Sequence, residues 1–178
     1  GMKLYAGATF TSSSGTVNVT GGTLNLNTGT SQSFNNLTVS GGLLSASDAI
    51  TVPGTFNWSG GTVGGAGTLT TTGTSTLNGG TKALSTKAWT NDTGAVVTWT
   101  AGELQVNNGS TINNAGTINT SFAGNWLNVP GPASSTVNNS GLITKSGTGD
   151  LAIGWQFSPM AFNNSGTVSL TGGSLSIY

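Results

Sequence analysis

One eight-residue element recurs in this chain at a fixed interval, and that recurrence limits the fold more than anything else in the sequence. Thr111-Ile-Asn-Asn-Ala-Gly-Thr-Ile118, Thr136-Val-Asn-Asn-Ser-Gly-Leu-Ile143 and Ala161-Phe-Asn-Asn-Ser-Gly-Thr-Val168 align without gaps, at a constant spacing of 25. A second landmark, Leu-x-apolar, returns at Leu104/Val106, Leu127/Val129, Leu151/Ile153 and Leu175/Ile177, with spacings of 23, 24 and 24. Two unrelated landmarks keeping nearly one period identify stacked supersecondary units. Toward the N-terminus the period shortens. Gly-Gly pairs fall at Gly21/Gly22, Gly41/Gly42, Gly60/Gly61 and Gly79/Gly80, with spacings of 20, 19 and 19.

Between landmarks the residues alternate with period two, as in Thr16-Val-Asn-Val-Thr20, Thr23-Leu-Asn-Leu-Asn27 and Glu103-Leu-Gln-Val106. Alternation of this kind turns apolar side chains to one face of a strand and Thr, Asn and Ser to the other. Gly-Gly and Ser-Gly steps end the strands, because glycine accepts the positive φ of tight turns. Two or three short strands per unit, with units of roughly 19–25 residues, suit a parallel β-helix better than a propeller, whose blades need about 40. The expectation is an all-β, single-stranded parallel β-helix (a β-solenoid) of about eight coils, right-handed, forming one domain over residues 1–178. Residues 1–10, with Tyr5 and Phe10, are a candidate N-terminal cap. The last coil breaks off in mid-pattern, so the array is expected to continue past Tyr178.

Stacking at one coil spacing would bring Asn113, Asn138 and Asn163 into one column and Asn114, Asn139 and Asn164 into another. Amides so placed can hydrogen-bond along the axis as a ladder. Charge is scarce, so solubility must come from uncharged Ser, Thr, Asn and Gly. Four lysines, no arginine, three aspartates and one glutamate leave zero net charge, which removes the footprint of a nucleic-acid binder. A disordered chain would lack the five Trp, six Phe and many β-branched residues found here. No apolar run reaches membrane-spanning length, and residues 1–20 lack the basic-then-apolar pattern of a signal peptide.

The stretches Asn36-Leu-Thr-Val-Ser-Gly-Gly42, Gly54-Thr-Phe-Asn-Trp-Ser-Gly-Gly61, Leu77-Asn-Gly-Gly-Thr-Lys82, Asn113-Asn-Ala-Gly-Thr117 and Phe162-Asn-Asn-Ser-Gly-Thr-Val168 resemble the Gly/Thr/Asn-rich repeats of very large bacterial surface and autotransporter-type proteins. That resemblance implies a secreted or cell-surface β-helical stalk or adhesin-like passenger, without catalytic residues. Its partners would be extracellular glycans, a host or neighbouring-cell surface, and the adjoining coils of the parent protein.

Chemistry is sparse. Without Cys or His, the chain can build no thiolate nucleophile, imidazole base or Cys/His zinc site. Carbohydrate-cleaving β-helices need clustered carboxylates, but Asp48, Asp92, Glu103 and Asp150 are scattered, with spacings of 44, 11 and 47. No metal or cofactor is expected. Gly147-Thr-Gly-Asp150 is a single echo of a calcium-roll unit and reads as a turn whose aspartate pairs with Lys145. That lysine fills the slot of Leu170 one coil later, and its stem should carry the ammonium out to water. Unbroken Thr-x-Thr columns, as needed to order water for ice binding, are missing from the later coils.

Tryptophan offers the one alternative to a bland surface. Trp58 and Trp99 follow Phe56 and Val97 by two residues and so take the inward phase. Trp126 directly precedes inward Leu127, which turns it outward, and Trp155 lies in an irregular segment before Pro159. Exposed indoles stack on sugar rings, so Trp126 and Trp155 are the candidate contacts of a lectin-like site.

Overall fold

The computed structural model describes residues 2–4, 11–127 and 133–178, with side chains described for 15–126 and 133–178. The proposed cap residues Tyr5 and Phe10, and Val129 of the second landmark, lie outside the described residues. Every ladder between the strands is parallel, and no helix occurs among the described residues. The chain is a β-solenoid. Each coil of the C-terminal part runs through three short strands on three faces, for example Thr111–Asn114, Thr117–Thr120 and Gly124–Leu127.

The third face is a nine-stranded sheet running from Met2–Leu4 through Thr23–Leu26, Leu43–Ala46 and Lys82–Ser85 to Asp150–Ile153 and Ser174–Ile177. The first and second faces form one fourteen-stranded sheet, because the long strand Gln32–Val39 passes over both and joins them. Gln32 pairs with Ile50 on the first face, and Leu37 pairs with Phe56 on the second. The strands from Gln32–Val39 to Ser174–Ile177 make seven turns, preceded by one more that contains Thr11–Val19 and Thr23–Leu26.

The period grows along the chain as the sequence indicates. The step from one coil to the next is 20 from Leu24 to Leu44, 22 from Ser75 to Val97, and 25 from Ile112 to Val137. One coil exceeds the expected range: the step from Trp126 to its partner Ile153 is 27. Close stacking relies on glycine where backbone meets backbone. At Gly61, with φ of 78°, a Cβ would stand 2.7 Å from the Gly41 carbonyl carbon, so no side chain fits.

Alternation places one residue of every two inside. Leu37, Phe56 and Val97 fill the second-face column, and Leu24, Leu44, Val63 and Leu84 the third. Trp58, expected in the core, packs with Phe56 and Trp89 at ring separations of 5.7–6.1 Å, and all three are buried. Trp99, likewise expected inside, is buried and gives its indole N–H to the carbonyls of Ala101 and Gly102.

Trp126 corrects the sequence expectation. Its ring is 2% exposed and stacks on Trp99 at 5.5 Å with 6° between planes. Leu104 pairs with Trp126, not with Leu127, because the step in this coil is 22 and in the next 27. A slip of one residue exchanges the two faces of a strand. The large apolar area of the indole and its parallel contact with Trp99 favour the inward position, although its N–H finds no acceptor among the described residues.

Candidate functional site

Two features set this solenoid apart from a plain apolar stack. Both lie in the long coils or at the corners, where polar groups meet the core. The first is a pair of asparagine ladders on the first face. Strand register places Asn113, Asn138 and Asn163 in one column and Asn114, Asn139 and Asn164 in the next, as the repeat requires. Alternation turns the second column inward, and Asn91 precedes it in register.

In the inner ladder each amide donates toward the C-terminal end: Asn91 Nδ2 to Asn114 Oδ1 at 2.7 Å, Asn114 Nδ2 to Asn139 Oδ1 at 2.7 Å, and Asn139 Nδ2 to Asn164 Oδ1 at 2.6 Å. The second hydrogen of each amide goes to a backbone carbonyl of the next coil, that of Thr117, Leu142 or Thr167. Two donors satisfied on one nitrogen fix which way each amide faces. The outer ladder runs the other way. Asn138 Nδ2 donates to Asn113 Oδ1 at 2.8 Å, and Asn163 Nδ2 to Asn138 Oδ1 at 2.9 Å. Neighbouring rows of amide dipoles thus oppose each other, which favours both. The inner row begins at Asn91 Oδ1, a buried acceptor with no partner among the described residues, because Thr71 occupies its column one coil earlier.

Lysine is the second feature, and composition alone gives no hint of it. Lys82, Lys87 and Lys145 are all buried. The Lys82 ammonium donates to the carbonyls of Asn78, Gly80 and Ala101 at 2.8–2.9 Å, so its three hydrogens are matched. Lys87 reaches back across two coils to the carbonyls of Ala46 and Gly67. Asp48 continues the same corner by accepting from the N–H and hydroxyl of Thr28 and the N–H of Gly29. Burial pushes both Lys82 and Lys87 down to about 8, against the pull of Asp48 in the case of Lys87. Burial also works to raise the Asp48 carboxyl, but the Thr28 and Gly29 donors and the Lys87 charge outweigh it and hold the group below the ordinary aspartate value.

Lys145 corrects a second expectation. It does pair with Leu170 one coil on, yet its ammonium stays inside on the Ser146 carbonyl and does not reach water. Asp150, expected to pair with it, accepts instead from the hydroxyls of Ser174 and Ser176 at 2.8 and 3.1 Å.

The remaining candidate, Trp155, is exposed at 44%. The structure therefore separates the two rings that sequence reasoning joins in a lectin-like site: one is core, the other surface. Phe157 at 79% and Tyr178 at 46% stand out with Trp155 instead. Among the described residues no group of three or more acids gathers to hold a metal. The outward column of the second face reads Thr38, Asn57, Thr76, Thr98, Asn119, Thr144, Ser169, a mixed row and no threonine array. No family model, curated protein or solved structure matches this chain.

Proposed function

We propose that this chain is a non-catalytic structural and adhesive segment of a secreted or cell-surface bacterial protein, acting as a stiff spacer and repeated contact surface. The observation that carries this reading is where the buried polar side chains point. The inner asparagines and two of the buried lysines bond to the backbone or side chains of adjacent coils, so they stiffen the stack. The resemblance of its repeats to those of bacterial surface stalks supports the location. An uncharged face of Thr, Asn and Ser gives weak single contacts, which gain strength only through multivalent display.

Tethering tests the spacer role. Chains attached by their N-termini to a dense monolayer should form a layer about 38 Å thick, from eight steps of the nine-stranded sheet at ~4.8 Å each. Neutron reflectometry reads that thickness directly. A collapsed layer whose depth changes with grafting density would contradict a stiff spacer.

A further inference from the structure

Asparagine followed by glycine occurs twice in this chain, at Asn78-Gly79 and Asn108-Gly109, and both pairs stand exposed at corners of the solenoid. Glycine has no Cβ, so its nitrogen can closely approach the carboxamide carbon of the side chain before it. The fold treats the two pairs in opposite ways. Asn108 Nδ2 donates to the Ser85 hydroxyl at 3.0 Å, and the Gly109 N–H donates to the Ala133 carbonyl at 3.2 Å. The carboxamide and the nitrogen that could attack it are thus both held, by the coils before and after. At Asn78 neither group is held. The Gly80 N–H makes the contact to the coil before, on the Ser59 carbonyl at 2.9 Å. That leaves the Gly79 N–H and the Asn78 carboxamide without a partner among the described residues. The Asn78 main-chain carbonyl, by contrast, accepts from the buried Lys82 ammonium at 2.9 Å.

We infer that Asn78 is a site of spontaneous deamidation, promoted by Lys82, and that the fold suppresses the same reaction at Asn108. The Gly79 nitrogen gives its proton to solvent and attacks the Asn78 Cγ. A C–N bond closes a five-membered imide, the bond to the side-chain nitrogen breaks, and ammonia leaves. Water then opens the ring at either carbonyl, giving aspartate or isoaspartate, and nothing is oxidised or reduced. Lys82 acts on the same peptide unit: a charge-assisted hydrogen bond to the Asn78 carbonyl draws electrons from the Gly79 nitrogen and makes its proton easier to lose. In isoaspartate that carbonyl becomes a free carboxylate, so the product reaches the buried lysine. Each event takes the chain from net zero to one negative charge. Protection at Asn108 has a definite size, since two net hydrogen bonds must open before reaction, a factor of about thirty. The inference does not depend on the spacer reading, because it rests on one corner of one coil.

Incubation of the folded chain near neutral pH, followed by peptide mapping with mass spectrometry, tests it. The expected result is conversion at Asn78, read as exchange of NH for O and as a mixture of aspartate and isoaspartate. Its rate should be about thirty times that at Asn108. Ser85→Ala removes a half-buried hydroxyl outside the core and should speed Asn108 about fivefold without changing Asn78. Lys82→Met should slow Asn78 and leave Asn108 as it was. In urea the two rates should converge, which separates the effect of the fold from that of the sequence. Equal rates in the folded chain, faster reaction at Asn108, or conversion of Asn78 only in urea would each overturn the inference. An unchanged Asn78 rate in Lys82→Met would overturn the part assigned to the lysine.

Discussion

Replacing Asn114 by alanine should destabilise the chain far more than the same change at Asn113, its neighbour in sequence. Asn114 is 1% exposed and sits in the middle of the inner ladder. Truncation removes three hydrogen bonds: one accepted from Asn91, one donated to Asn139 and one donated to the Leu142 carbonyl. Each contributes about 1 kcal/mol net, and the buried Asn139 oxygen left without its donor adds roughly 1 kcal/mol more. The loss is then ~3–4 kcal/mol, which for a chain of this length lowers the melting temperature by about 10 °C. Asn113 only accepts from Asn138, at 2.8 Å on a half-exposed face. Water can replace that contact, so its alanine variant should lose ~0.5–1 kcal/mol. Guanidinium unfolding followed by circular dichroism measures both. Equal losses, or a larger loss at Asn113, would refute the claim that burial and opposed polarity distinguish the two ladders.

Further expectations concern the lysines, the coil contacts and the indoles. Lys82 and Lys87 titrate at about 8 in the fold and near 10.5 when unfolded, so between those values the unfolded chain binds more protons and stability must rise with pH. Carbonyl acceptors and solvent screening limit the gain to ~1 kcal/mol per lysine. Guanidinium midpoints should therefore climb from pH 7 to pH 10 and climb less in Lys82→Met; a fall would contradict the assignment. Asp48 acts in acid: its lowered value gives stability above the unfolded value of 3.8 that is lost as pH falls through the folded one, and Asp48→Asn should flatten that limb. At Gly73 a Cβ would stand 2.0 Å from the Gly54 carbonyl oxygen, whereas at Gly21 nothing lies within 4 Å. Gly73→Ala should cost several kcal/mol and Gly21→Ala less than about 0.5 kcal/mol, as read by thermal melting. Trp126→Ala should lose ~3–5 kcal/mol as a core truncation, while Trp155→Ala stays within about 0.5 kcal/mol and removes most acrylamide-quenchable emission.

Much of this fold is written in local pattern. Period-two alternation marks the strands, and the constant recurrence of the Asn-Asn element puts six asparagines in their columns, because identical coils can stack in only one register. What escaped was whatever depends on an irregular coil. The landmark Leu127 has the spacing of its counterparts, but a step of 22 followed by one of 27 shifts the phase and takes Trp126 inside. No feature of the local sequence announces that shift; only the stacking demand of Trp99 one coil earlier does. The lysines are different, since their signal was present. Lys82 lies two residues before Leu84, Lys87 two before Trp89 and Lys145 two after Ile143, so all three share the apolar phase. Charge argued for the surface and alternation for the core. Alternation won because strand-end carbonyls at each corner match an ammonium. The exposed indole is half visible: Trp155 stands out beside Pro159, but its contact with Tyr178 comes from the pairing of Asp150–Ile153 with Ser174–Ile177.

The central claim, a stack of rigidly registered coils, is tested most directly by one distance. Thr38 and Ser169 share an outward column on the second face, six coils apart. With spin labels on Thr38→Cys and Ser169→Cys, double electron–electron resonance should give a single narrow peak near ~29 Å, six steps at ~4.8 Å, broadened only by the label arms. A broad distribution centred beyond about 50 Å, as for a flexible chain of this separation, would contradict it.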